Sequence, residues 1–525
     1  MGQRPIPVFS LVLTVIGLAM AGPSIMAAAD AEWRVARGFL YAGLFTLVVA
    51  LLLGLALATR SHGGSARREL GILLLCWLIA PVFAAIPLIL LTPSIGVTGA
   101  MFEMTAAFTT TGGTVYGDLE GLPRAINLWR ALVGWLGGFM TLSAAYVALA
   151  PRQLGGFEIE AATWQMQAGR SASLLGSSVP PLEARIARAV RVIVPIYALL
   201  TAVLGLGLSA AGASELDAMI HAMSILSTSG ISAHPDGLAA TPDLSVEAIA
   251  ALFLLLAVSR RLYSDASEIG TRVPVQRDPE VLTMLGFVLA VTVTLFLRHW
   301  IGAYTVDLPS EPVDPFEATW GILFTTISFL STTGFVSGFW DSARDWSGWA
   351  NPGLVLLALA AIGGGAATTA GGIKLIRAYA LMRHGLREVE RIAQPYSVIG
   401  VGARTRSLLR EGPAIVWSFM MLFIFGIAVS MLGLTALGLG FEAALIASIS
   451  AIANTGPAFE LVAEIDTGFA TLTDGQRAVL GALMIVGRIE TLALVALFNP
   501  DAWQSGRSRE QRGGKSGDDT PKSGW

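Results

Sequence analysis

Apolar runs of about 20 residues recur along the whole chain, the length of helix that crosses about 30 Å of hydrocarbon. They lie near 8–29, 36–59, 70–92, 124–150, 191–212, 244–262, 280–304, 351–380, 413–437 and 476–499. Charged residues make up 14% of the 525 and mean hydropathy is +0.66, where soluble domains carry about 25% charge. The chain is therefore expected to be an all-α integral membrane protein. Its net charge of −3 gives no sign of a nucleic-acid partner.

Four further apolar segments, near 97–110, 216–228, 318–331 and 441–453, are too short to cross. Each ends in a short polar run and a glycine: Thr109-Thr110-Thr111-Gly112, Ser227-Thr228-Ser229-Gly230, Ser331-Thr332-Thr333-Gly334 and Ala453-Asn454-Thr455-Gly456. Six residues before the glycines stand Ala106, Ser224, Ser328 and Ser450, all small, and one before stand Thr111, Ser229, Thr333 and Thr455, all hydroxyl-bearing. A half-helix that enters the membrane and returns as a loop fits these segments. Loop backbone at that depth must be covered by protein or line an aqueous cavity, which pushes all four loops toward one centre. Backbone carbonyls around an axis replace the hydration shell of a cation, and glycine reaches the required conformations at low steric cost. The Thr and Ser hydroxyls either add oxygens or brace the loops from behind. Taken singly, each run also reads as a helix C-cap with a left-handed glycine. Asp118, Glu120, Asp236, Asp341 and Glu460 follow the runs and either attract cations to the mouth or are ordinary solvated residues.

The expected organisation is an N-terminal helix pair (1–65), four membrane–pore-loop–membrane repeats (66–152, 153–278, 279–395 and 396–504) and a disordered cytoplasmic tail (505–525). That gives about ten spanning helices and four re-entrant half-helices around a single pore. Arg60, Arg67, Arg68, Arg152, Arg170, Arg185, Arg188, Arg191, Arg260, Arg261, Arg272, Arg277, Arg377, Arg383, Arg387, Arg391, Arg404, Arg406 and Arg410 fall in loops on one side, while 213–243 and 438–475 hold no Lys or Arg. The positive-inside rule then puts both termini in the cytoplasm and the four glycine loops toward the outside. The N-terminal run, with Arg4 before it and Ala27-Ala28-Ala29 at its end, resembles a signal peptide, but its length favours a first spanning helix. Cys76 is the only cysteine, and the five histidines form no metal-binding pair. No nucleophile–base or metal constellation points to an enzyme.

Two features lie below the loops. Gly363-Gly364-Gly365, then Thr368, Thr369, Gly371, Gly372 and Lys374, interrupt the run 351–380. Five glycines in ten positions argue for a break under the loops, a flexible constriction, or for close small-residue packing. Lys374 either belongs to that constriction or snorkels to the interface. Arg488 lies inside the last run, where a charge faces a cavity or a partner. It meters cations, bonds the carbonyls of the broken segment, or pairs with another helix through Glu490.

These residues carry a resemblance. FEMTAAFTTTGGT with LWRALVGWLGG, DAMIHAMSILSTSGIS, ISFLSTTGF, AGGIKLIR, ANTGPAF and MIVGRIETLALVALFNPDAW resemble the pore-forming subunits of the Trk/Ktr/HKT superfamily of potassium transporters, over about residues 5 to 503. The extra N-terminal helix pair is similar to the bacterial TrkH branch. The resemblance implies potassium uptake across the bacterial inner (plasma) membrane, with K⁺ as the transported ion and no cofactor in this chain. It implies a selectivity filter of Thr110, Thr111, Gly112, Thr228, Ser229, Gly230, Thr332, Thr333, Gly334, Asn454, Thr455 and Gly456. It implies an intramembrane gating loop around 363–372 and a pore narrowed by Arg488. It also implies a homodimer that binds a cytosolic, nucleotide-binding, TrkA-like regulatory ring. The alternative within the same fold is a sodium-permeable or H⁺/Na⁺-coupled transporter. A secondary transporter with inverted repeats fits less well, because the four repeats run the same way. Ser229, the alanines Ala366, Ala367 and Ala370, and the segment 259–263 depart from the family's pattern.

Overall fold

The computed structural model describes residues 8–57, 66–149, 182–241, 243–259, 278–302, 314–347, 353–393, 412–463 and 468–489, and every regular element among them is helical. α1 (Val8–Ala19) and α2 (Ala21–Ala29) form one apolar span jointed at Met20, and α3 (Trp33–Leu57) packs against both. A first unit follows: α4 (Ala66–Leu91), the half-helix α5 (Gly96–Phe108) and α6 (Arg124–Ala144), prolonged by one π turn to Leu149. The second is α7 (Leu182–Ala210), α8 (Glu215–Ser227) and α9 (Leu244–Ala257). The third is α10 (Pro279–Gly302), α11 (Pro315–Leu330), α12 (Trp340–Ser347), α13 (Gly353–Ile362) and α14 (Leu375–Ala393). The fourth is α15 (Gly412–Ala436), α16 (Phe441–Ile452), α17 (Pro457–Ala463) and α18 (Asp474–Ile489).

Six described spans are long and apolar enough to cross a membrane. Their exposed residues, such as Leu51, Leu199, Leu289 and Phe425, are the inverse of a soluble surface, because the solvent they meet is lipid. The all-α membrane architecture read from the sequence is borne out. Where boundaries differ, the reason is local. α7 starts at Leu182, not near 191: Arg185 donates to the Glu69 carboxylate at 2.7 Å and to the Val147 carbonyl, so a charge that reads as loop is carried on the helix. The short helices α12 and α17 had no apolar period long enough to announce them. The arginines of the loops 58–65, 150–181, 260–277 and 394–411, the segment 260–263, Glu490 and the tail from Ser505 lie outside the described residues.

Packing closes the four units into a ring. Each half-helix packs on a helix of the unit before it: α8 on α6, α11 on α9 and α16 on α13. The first half-helix, α5, packs on α18 of the fourth. Ser214 caps α8 by accepting from Asp217 N–H at 3.2 Å, and Asp314 caps α11 by accepting from Phe316 N–H at 2.8 Å. The acidic first turns at Glu215, Glu317 and Glu442 suit the positive helix ends. The opposite ends, with their partial negative charge, deliver the chain into the glycine loops.

Candidate functional site

All four half-helices end in the same turn. Thr110, Thr228, Thr332 and Asn454, two residues before the glycines, adopt left-handed φ of 51°, 52°, 62° and 54°. Their N–H groups bond the carbonyls of Ala107, Ile225, Phe329 and Ala451, and the next N–H bonds Ala106, Ser224, Ser328 and Ser450 at 2.7, 2.9, 3.0 and 2.9 Å. This is the Schellman pair of bonds. The residue six places before each glycine is the one whose carbonyl receives the closing bond. The C-cap and the ion-loop readings are thus not rivals, but the left-handed cap residue is Thr or Asn rather than the glycine.

The glycines serve a second purpose. Gly112, Gly230 and Gly334 have φ of +76°, +67° and +82°. A Cβ on Gly112 would overlap the Ser229 carbonyl oxygen, and one on Gly230 the Thr333 carbonyl oxygen. One on Gly334 would press on Pro457 at 3.1 Å and Thr455 at 3.2 Å, and one on Gly456 on the Thr111 carbonyl at 2.6 Å. Loop 1 therefore abuts loop 2, loop 2 loop 3, loop 3 loop 4, and loop 4 loop 1. Gly456 departs from its counterparts: it has no left-handed φ. Its N–H instead donates to the Thr111 carbonyl at 2.6 Å.

Hydroxyls brace three loops from behind. Thr109 pairs with Thr111 at 2.8 Å, Ser227 with Ser229 at 3.0 Å and Ser331 with Thr333 at 2.9 Å. The fourth run has Ala453 at that place. There Asn454 Nδ2 donates to Thr111 Oγ1 at 3.0 Å and to the Met484 carbonyl at 2.9 Å, and Ser450 Oγ donates to the Thr455 carbonyl at 2.6 Å.

A position not singled out in the sequence reading proves structural. Nine residues before the glycines stand Glu103, His221, Thr325 and Ala447, and the first three hold the strand that leaves their own loop. Glu103 accepts from Thr114 Oγ1 at 3.1 Å and Val115 N–H at 2.8 Å; His221 Nε2 pairs with Ser232 Oγ at 3.1 Å; Thr325 Oγ1 accepts from Ser337 N–H at 3.3 Å. Arg130 neutralises Glu103 at 2.6 Å and donates to the Ser232 carbonyl at 3.0 Å. Aligning the runs on glycine and reading nine places back was the available signal.

Beyond the glycines opens a vestibule of about 750 Å³ lined by residues of all four loops. Asp236, Asp341 and Glu460 line it, while Asp118 caps the turn at Gly121. Glu120 bonds His234 Nδ1 at 3.0 Å, and Asp217 bonds its Nε2 at 3.2 Å. Burial opposes a charge on His234, but these hydrogen bonds and the two negative charges outweigh it, so His234 titrates above its ordinary 6.5. The bridge is fully present below pH 6.5 and is lost as pH rises through the raised value. The drop in thermal midpoint caused by His234→Gln in detergent-purified protein is expected to be largest below pH 6.5 and to shrink above it. A drop of equal size at every pH would exclude a protonated bridge.

On the opposite side of the ring the chain breaks between α13 and α14, within the run 351–380. Gly363, Ala367, Gly372 and Lys374 have positive φ. Ile373 and Lys374 N–H bond Ala361 and Ile362 at 2.9 Å each, which ties off the loop's ends. Gly371 N–H donates to Thr332 Oγ1 at 2.8 Å, and Thr369 Oγ1 to the Leu226 carbonyl at 3.3 Å. A Cβ on Gly371 would overlap the Ala453 carbonyl, and one on Gly364 would meet Ala370. Thr368 Oγ1 turns back onto the Gly365 carbonyl at 2.7 Å. Lys374 is buried and donates to the Ala370 carbonyl at 2.5 Å.

Arg488, on α18, is buried beside this loop. It donates to the Thr109 carbonyl and to the Thr369 carbonyl, each at 2.5 Å, and to the Thr110 hydroxyl. One guanidinium thus fastens the break to the base of loop 1. A space of about 30 Å³ beside the break is lined by Thr368, Gly371, Lys374 and Arg488 together with Leu73 of α4 and Thr141 of α6, near the share of one water.

Comparison with known proteins fits this geometry. A family model described as TrkH, cation transport protein, matches residues 39–505. The Trk system potassium uptake protein TrkH of Salmonella typhimurium is 29% identical over 465 residues, covering 87% of this chain and 91% of that protein. The Trk system potassium uptake protein TrkI of Halomonas elongata is 29% identical and covers 82% of each chain. The crystal structure of the potassium transporter TrkH from Vibrio parahaemolyticus superposes with a TM-score of 0.76 at 25% identity, over 96% of this chain and 100% of that one. These are transport proteins, not enzymes, and the chain belongs to the TrkH family of cation transport proteins.

Proposed function

We propose that this chain carries potassium uptake across a bacterial inner membrane through the ring of four loops. The observation that carries the reading is the closed sequence of glycine contacts, in which each loop abuts the next. Left-handed turns at two residues in each of the first three loops and at one in the fourth swing successive carbonyls toward a common axis, the arrangement that replaces a cation's hydration shell. The names of the relatives, potassium uptake proteins of Trk systems, support K⁺ as the cargo. The pore repeats are those bounded at 66, 153, 279 and 396, with the vestibule facing outward and both termini cytoplasmic.

The break at 363–374 acts as the gate. Its support is its place against the ring: Gly371 N–H donates to Thr332 Oγ1, Thr369 Oγ1 donates to the Leu226 carbonyl, and a Cβ on Gly371 would overlap the Ala453 carbonyl. A homodimer and a cytosolic TrkA-like nucleotide-binding ring belong to the proposal, the latter supported by the relatives' names, which place them in a Trk system. Expressed in a bacterium lacking its own K⁺ uptake, the chain together with such a ring is expected to restore growth on low K⁺. No growth with the chain present in the membrane would overturn the reading.

A further inference from the structure

The strands that leave the four loops are held by unequal means, and the third has a restraint that the ring itself does not require. Glu247, in the first turn of α9, is 0% exposed. It belongs to the second unit, but every group that bonds its carboxylate belongs to the third. Trp320 Nε1 on α11 donates at 2.8 Å and Ser337 Oγ at 2.7 Å to one carboxylate oxygen, and Gly338 N–H donates at 2.7 Å to the other. Ser337 and Gly338 follow Gly334 by three and four residues and line the vestibule.

No cation neutralises Glu247 among the described residues, in contrast to Glu103, which has Arg130 at 2.6 Å. A buried carboxylate without an ion pair is costly unless fully hydrogen-bonded. Three neutral donors and the positive end of α9 supply the compensation, and they leave the net charge in place. That charge lies one bond away from the vestibule wall, where little water intervenes to screen it. We infer that Glu247 is a positioning residue for the transported cation: it fixes the strand leaving the third loop and, through its unneutralised charge, sets how tightly a monovalent cation is taken at the mouth of the ring.

This rests on the transport reading, and uptake kinetics separate the two. In K⁺-uptake-deficient cells expressing the full chain, Glu247→Gln keeps the shape, removes the charge and turns one of the two accepting oxygens into an N–H donor. It is expected to raise the KM for K⁺ about fivefold with Vmax changed by less than about twofold, the scale of one weakened charge-assisted hydrogen bond. Ser337→Ala, which keeps the charge and removes one donor, is expected to raise KM less. An unchanged KM in Glu247→Gln, or a fall only in Vmax that matches the amount in the membrane, overturns the inference. If Glu247→Gln does not reach the membrane, Ser337→Ala and Trp320→Phe decide: a raised KM supports it and an unchanged KM in both overturns it. Absence of K⁺ uptake by the unaltered chain would instead overturn the transport reading.

Discussion

Gly112→Ser is expected to lower the preference for K⁺ over Na⁺ by at least about tenfold, since about 1.4 kcal/mol suffices for that factor. Two effects add. A side chain at a left-handed φ costs about 1–2 kcal/mol, and forcing a Cβ into a filled space costs about 1–3 kcal/mol. Here the space is filled by the Ser229 carbonyl oxygen, so loop 2 must move as well. The measurement is rubidium uptake into proteoliposomes against rising sodium. Gly286→Ser is the control, because a Cβ at Gly286 meets nothing within 4 Å. Unchanged rubidium flux and sodium block in Gly112→Ser would remove loop 1 from the filter.

Arg488→Ala is expected to raise basal flux about tenfold or more. The guanidinium bonds the Thr109 and Thr369 carbonyls at 2.5 Å each, and a hydrogen bond to a charged group contributes about 1.5–3 kcal/mol. Losing either contact loosens the break from loop 1 by enough to shift a closed–open balance tenfold. Lysine is a poor substitute, since its single ammonium cannot fork to both carbonyls. Rubidium flux in proteoliposomes without regulatory partners reads the effect, with the amount of inserted protein measured first. A variant with unaltered flux would mean that Arg488 only holds the helices together.

The half-helices and the interrupted run were legible because depth in a membrane allows few solutions. An apolar segment too short to cross must return, and its loop must find cover. The small residues at 106, 224, 328 and 450 were legible too, though the bond their carbonyls accept, the closing bond of a C-cap, needed the backbone. Other features rest on partners distant in sequence. Nothing local marks Thr110, Thr228 or Thr332 as left-handed, because threonine has no bias toward that conformation. Asn454 does tolerate it, but the sequence reading drew nothing from the position two before each glycine. Gly456 looked equivalent to the other glycines, and only its bond to Thr111 shows that it is needed for close approach rather than for φ. Arg185 read as loop because its neutralising partner, Glu69, is more than a hundred residues away.

The closing contacts of the ring also order its assembly. Asn454 bonds Thr111 across 343 residues, and Arg488 bonds Thr109 across 379. During synthesis the first loop is therefore inserted long before the groups that hold it exist. Loops 1, 2 and 3 can lean on one another in turn, but nothing supports the free side of loop 1 until the fourth unit arrives. Contacts of such long range form late, so a growing chain has no working ring at any intermediate length. A ribosome that stops short of α18 leaves the base of loop 1 without the guanidinium that fastens it to the break.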